Sequence, residues 1–95
     1  MTKRQKRALL ARRLRNKADR YLKYWVKNDP IDGGYSGDIL RMVRKDHKDM
    51  YKAAKWLREG KEMKAARLIV YDFDTAVRDE VPTTVYNYLE KVFYG

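Results

Sequence analysis

A chain of 95 residues is long enough for one hydrophobic core and too short for two. Charged side chains make up 38% of it, against roughly 25% in ordinary domains, and 23 Lys and Arg over 13 Asp and Glu leave a net charge of +10. With no Cys and one His, a secreted disulfide scaffold and a zinc finger are excluded, and no apolar run approaches the about 18 residues of a membrane span. The expectation is a water-soluble intracellular protein without cofactor or metal.

The first helical signal is the recurrence of Leu10, Leu14, Ala18, Tyr21 and Trp25, one turn apart each time, with Ala11 and Leu22 beside them. Lys3, Arg4 and Arg7 would lie on that apolar stripe. Residues 1–7 therefore read as a basic flexible tail, with a single helical domain over 8–95. Asn28-Asp29-Pro30 stops the helix, and the three glycines between Ile31 and Gly37 mark a loop. Ser36 is a candidate N-cap, with Asp38 favourable in the first turn of a second helix. There Leu40, Val43, His47, Met50, Ala54 and Leu57 share one face. This helix runs from Gly37 to Glu59, either unbroken or restarting at Asp46, and Gly60 ends it as a left-handed cap.

A third helix is expected from Lys61 to about Glu80, burying Ala66, Ile69, Val70, Phe73 and Val77. Val81-Pro82 ends or bends it, and Val85, Tyr88, Leu89 and Val92 mark a fourth that stops near Tyr94. No alternating run flanked by hairpin turns occurs. The fold class read from these elements is all-α, a small bundle of four or five helices.

Little in the chain suggests catalysis. His47 falls on the apolar seam between Val43 and Met50, where a histidine hydrogen-bonded to a neighbour is the plain reading. No nucleophile elbow or phosphate loop is present, and Asp72, Asp74, Asp79 and Glu80 are not spaced like a calcium loop. The expected protein is not an enzyme.

The charge, by contrast, is organised. Residues 1–28 carry +10, 29–40 carry −3, 41–67 carry +6 and 68–95 carry −3. On the first helix Arg12, Arg13, Arg20, Lys23 and Lys27 lie opposite Leu14 and Trp25, flanked by Arg15 and Lys17. On the second, Arg41, Arg44, Lys45, Lys48, Lys52 and Lys55 fall within about 100° of one another if the helix is continuous. Like charges so placed repel, and an anionic partner would compensate. Two aromatics stand among these cations. Tyr24 falls beside Arg13, Lys17 and Arg20, a combination that stacks unpaired bases while holding phosphates. Trp56 borders Lys45 and Lys52, where it either serves the same purpose or covers an edge of the core. The first nineteen residues also look like an arginine-rich RNA-binding helix.

From Arg67 to Pro82 the chain reads Arg-Leu-Ile-Val-Tyr-Asp-Phe-Asp-Thr-Ala-Val-Arg-Asp-Glu-Val-Pro. This stretch, with the helical segment after it, resembles small basic early proteins of tailed bacteriophages, of the host-takeover or anti-defence kind. The resemblance implies a factor that modulates host or defence machinery in the cytoplasm of a bacterial host. Proteins of that group bind host RNA, host enzymes or toxins. It assigns no functional residues.

The leading expectation is a non-enzymatic nucleic-acid-binding protein, RNA favoured, acting through the two basic helix faces and without membrane association. The alternative is an inhibitor that docks the same faces on a negative surface of a host enzyme or toxin. A third reading is a homo-oligomer in which the acidic fourth helix of one chain meets a basic stripe of another.

Overall fold

The computed structural model describes residues 1–28, 36–72 and 80–95, and every regular element among them is helical. These elements are α1 (Lys3–Asn28), α2 (Ser36–Arg58), a short α3 (Glu62–Ala66) that widens into a π-helical segment (Arg67–Asp72), and α4 (Thr83–Tyr94). Together they form the small all-α bundle that the spacing of apolar residues predicts.

The N-terminus departs from expectation. Residues 1–7 are not a tail: α1 begins at Lys3 and is capped. The Gln5 backbone N–H donates to Thr2 Oγ1 at 3.1 Å, and the Thr2 N–H donates to Gln5 Oε1 at 2.9 Å. That reciprocal pair is a capping box, which satisfies two backbone donors that an uncapped helix would leave bare. Lys3 and Arg7 do continue the inward-facing stripe, but they meet an acid there rather than the apolar core.

α2 runs unbroken through Asp46. Residues 29–35, expected from the sequence to form a loop, and the side chains of Ser36 and Asp38 lie outside the described residues. Gly60, at φ +82°, ends the helix. The Lys61 N–H donates to the Trp56 carbonyl at 2.8 Å and the Gly60 N–H to that of Leu57 at 3.2 Å. This is the Schellman arrangement, with glycine in the left-handed position as its spacing predicts. The third helix is in α form from Glu62 to Ala66 and takes π-helical geometry from Arg67 to Asp72, with Ile69 and Val70 buried; residues 73–79 of the expected span lie outside the described residues. Phe73 and Val77, expected on its buried stripe, lie outside the described residues. Pro82 precedes α4, where its fixed φ and missing N–H cost nothing.

α1 and α2 share the most extensive contact and run antiparallel: Arg7 lies beside Gly60, and Asp19 beside His47 and Tyr51. Their seam is built largely from small residues. Ala11 and Ala18 of α1 and Ala53 and Ala54 of α2 are fully buried, and Ala65 and Ala66 of α3 join them in a core filled by Leu14, Met50, Leu57, Ile69, Val85 and Leu89. The second-helix stripe is buried as read from the sequence, except that Leu40 and His47 are only half-buried.

Asp46 is buried as well, which the apolar pattern does not anticipate. Burial, the charges of Asp46 and Glu80 and a hydrogen bond to Asp46 push the Tyr21 hydroxyl up to about 12, so it stays neutral.

One carboxylate joins three helices. Arg7 Nη1 donates to Glu62 Oε1 at 3.0 Å, Lys3 Nζ lies 3.6 Å from the same oxygen, and the Tyr88 hydroxyl donates to Glu62 Oε2. Burial by itself would raise the Glu62 pKa; the hydrogen bonds from Tyr88 and Arg7 and the charges of Lys3 and Arg7 outweigh it and hold the carboxyl below its ordinary value. Its contribution to stability is therefore complete above the unfolded-state pKa and lost as pH falls through the lower folded-state value. Thermal melts should hold steady from pH 7 to about 5 and decline below, in the carboxylate range. Glu62→Gln should lose about 1–3 kcal/mol at pH 7 and flatten that acid decline. A variant melting parallel to the parent at every pH would contradict this assignment.

Candidate nucleic-acid interface

A continuous α2 carries its cations on one side because 100° per residue returns positions three and four apart to the same strip. The antiparallel packing then brings α1 alongside. A groove of about 710 Å³ follows the outer seam of the two helices, lined by Arg15, Lys48, Tyr51, Lys52, Lys55, Arg58 and Glu59. Five cations thus surround one aromatic ring, with a single carboxylate at the end.

A hydrogen-bonded polar cluster at the surface adjoins the groove through Tyr51. The ionised Asp19 carboxylate only accepts, so His47 Nε2 donates to its Oδ1, at 2.9 Å, while the Tyr51 hydroxyl donates to the same carboxylate at 2.7 and 2.8 Å. The His47 and Tyr51 rings lie 4.7 Å apart, tilted by 39°. The hydrogen bonds from His47 and Tyr51, with the charges of His47 and Arg15, hold the Asp19 carboxyl below its ordinary value against a small opposing effect of burial. Asp19 also raises the Tyr51 hydroxyl above its usual pKa, chiefly by accepting its hydrogen bond. Tyr51 is therefore a neutral, oriented ring between Arg15 and the α2 lysines. His47 has the satisfied-neighbour role that its place on the seam suggests.

The thirteen basic and aromatic positions read from the sequence do not form one surface. Lys48, Lys52 and Lys55 line the groove; Arg41 and Arg44 are exposed toward the start of the same strip; Lys45 lies 3.9 Å from Asp49, one turn on. Trp56 packs against the core cluster, with Lys52 Nζ 5.5 Å and Lys64 Nζ 6.0 Å from its ring centre. Of the two readings of Trp56, the core-edge one fits this placement, since cations of the chain itself already stand over the ring. On α1, Arg12, Lys23 and Lys27 are exposed on the outer side, while Arg13 turns toward α4 and donates to Thr84 Oγ1 at 3.3 Å.

Arg20 and Tyr24 belong to a second concavity, on the opposite flank of α1 from the groove. It is lined, among the described residues, by Lys17, Arg20, Tyr21, Tyr24, Trp25 and Glu80, with a volume of about 520 Å³. Tyr24 is 61% exposed. The Trp25 ring meets it edge-on, with centres 5.9 Å apart and planes at 89°. Trp25 was expected in the core with Leu14 and Tyr21; it is half-buried instead and stands outside the core cluster. It lies one turn past Tyr21, near the end of the helix, beyond the described residues of the core cluster.

Arg58 and Tyr51 are the groove residues that sequence reasoning missed, and Arg15 was placed only at the margin. Tyr51 was findable. It lies three residues after Lys48 and four before Lys55, at the rim of the strip. Arg15 was not, because its membership depends on how α1 and α2 pack. Chemically, the groove offers positive charge, hydrogen-bond donors and one ring face. Among the described residues no three His, Cys, Asp or Glu side chains stand close enough together to hold a metal ion, and no helix is long and apolar enough to cross a membrane. No protein-family model, curated protein or solved structure matches the chain.

Proposed function

We propose that the protein is a non-enzymatic RNA-binding protein whose phosphate-tracking surface is the groove between α1 and α2. The observation that carries this reading is the convergence of Arg15 from one helix with Lys48, Lys52, Lys55 and Arg58 from the other around the oriented ring of Tyr51. The cations neutralise a backbone, and the ring gives an unpaired base a surface to stack on, a combination suited to single-stranded or looped RNA rather than to a regular duplex. Such a protein fits the host-modulating role that its resemblance to phage early proteins implies.

Fluorescence anisotropy with a labelled single-stranded RNA, a hairpin RNA and a duplex DNA of equal length tests the proposal. Five phosphate contacts on a single strand predict a slope of log K against log[salt] of about −3.5. The RNAs should bind at least as tightly as the duplex. No binding at low salt, or a slope near zero, would overturn the reading. Recovery of one stoichiometric host protein in place of RNA, after purification from cells with nuclease, would favour the inhibitor instead.

A further inference from the structure

The flank of α1 facing Glu80 holds a second set of groups, with a chemistry unlike that of the groove. The groove is almost uniformly cationic. The concavity of about 520 Å³ combines two cations, Lys17 and Arg20, with one carboxylate, Glu80, and with the rings of Tyr21, Tyr24 and Trp25. Its size lies within the range of small-ligand sites. The exposed Tyr24 ring and the Trp25 ring meet at 89°, which sets their faces at right angles on this flank. Tyr21 is buried and neutral and forms an inner wall.

These features match two parts of a nucleotide, its base and its phosphate. Aromatic faces take the base, and the ammonium and guanidinium take the phosphate. A carboxylate has acceptors only, so it selects a base with donors on its edge. Guanine presents two adjacent donors, N1–H and N2–H, on its Watson–Crick edge, which a carboxylate can accept together. Adenine and cytosine present one amino group beside an acceptor nitrogen that faces the carboxylate unfavourably, and uracil presents one donor between two carbonyls.

We infer that Lys17, Arg20, Tyr24, Trp25 and Glu80 form a subsite for an unpaired guanine nucleotide of the bound RNA. This rests on the RNA-binding reading and extends it: the groove holds backbone whatever its sequence, and the concavity on the other flank of α1 reads a base. The exposed Arg12 and Lys23 lie on the outer side of α1 between them, where a strand passing from one to the other would cross.

The test uses the Trp56→Phe chain, in which Trp25 is the remaining tryptophan and its fluorescence reports on the pocket. Titration with 5′-GMP should give saturable quenching at concentrations about tenfold lower than 5′-AMP, 5′-CMP or 5′-UMP require. In the same background Glu80→Gln should erase that preference while nucleotides still bind, and a double Lys17→Ala, Arg20→Ala change should weaken all four alike. Circular dichroism of each variant separates lost binding from lost folding. RNA binding is measured alongside, with an oligonucleotide lacking guanine and one containing a single unpaired guanine. The guanine-containing RNA should bind more tightly, and Glu80→Gln should remove the difference without altering the salt slope. Equal affinity for the four nucleotides, or no quenching, while both RNAs bind with the expected slope, overturns the subsite and leaves RNA binding standing. Selective quenching by GMP from a chain that binds neither RNA supports the pocket and overturns the RNA reading.

Discussion

Leu57→Ala should destabilise the fold by about 2–5 kcal/mol, the largest effect expected of any single truncation on α2. Leu57 is fully buried and sits in the core cluster with residues from α1, α3 and α4, so its truncation opens a void in the middle of the bundle. For a domain of this size such a loss lowers the melting temperature by about 8 °C or more, at roughly 4–8 °C per kcal/mol. Met42→Ala is the control on the same helix: its side chain is 50% exposed, and it should change stability by less than about 0.5 kcal/mol. Denaturant unfolding of the two variants decides the matter. A Leu57→Ala protein that unfolds within about 1 kcal/mol of its parent would mean that the helices are not packed as described.

The largest expected effect on binding comes from removing four groove cations together. The chain with Lys48→Ala, Lys52→Ala, Lys55→Ala and Arg58→Ala should bind single-stranded RNA about 100-fold less tightly near physiological salt. Its salt slope should fall by about three units, because each phosphate contact contributes roughly 0.7 on a single strand. Stability should hold or rise slightly. All four side chains are exposed, and truncating them relieves repulsion between like charges one turn apart. The pairing of near-native stability with lost affinity distinguishes a binding surface from a structural one. Full RNA affinity in a folded quadruple variant would remove the groove from the interface.

The helices on this chain were legible because their apolar spacing is regular. Val43, Met50, Ala54 and Leu57 are buried as the stripe predicts, and Gly60 takes the left-handed position. The start of α1 was misread for a physical reason. Lys3 and Arg7 break a hydrophobic pattern, and the pattern alone cannot show that Glu62, more than fifty residues away, waits on the other side. The local signal, Thr2 followed three residues later by Gln5, was present and outweighed the charges. Asp46 was invisible for the same reason: an acid among apolar positions looks exposed until Tyr21 is placed beside it. For the candidate site, helix faces came through and their division did not. A wheel of α1 shows which residues share a side, but only the packing shows that Arg15 looks toward α2, Arg13 toward α4, and Arg20 and Tyr24 toward Glu80.

The junction at Glu62 also bears on the order in which the chain acquires its shape. The turns of α1 nearer its C-terminal end meet α2 over shorter spans: Asp19 and His47 are 28 residues apart. The first turns of α1 are different: their anchor lies 55 residues downstream at Glu62, and Glu62 is itself met by Tyr88, another 26 residues on. Loop-closure entropy makes contacts over such separations late events. The beginning of the chain, though capped locally, therefore gains its tertiary hold only once α3 and α4 have docked. In a nascent chain, these turns emerge well before Glu62 and Tyr88 and are locked only after both have been made.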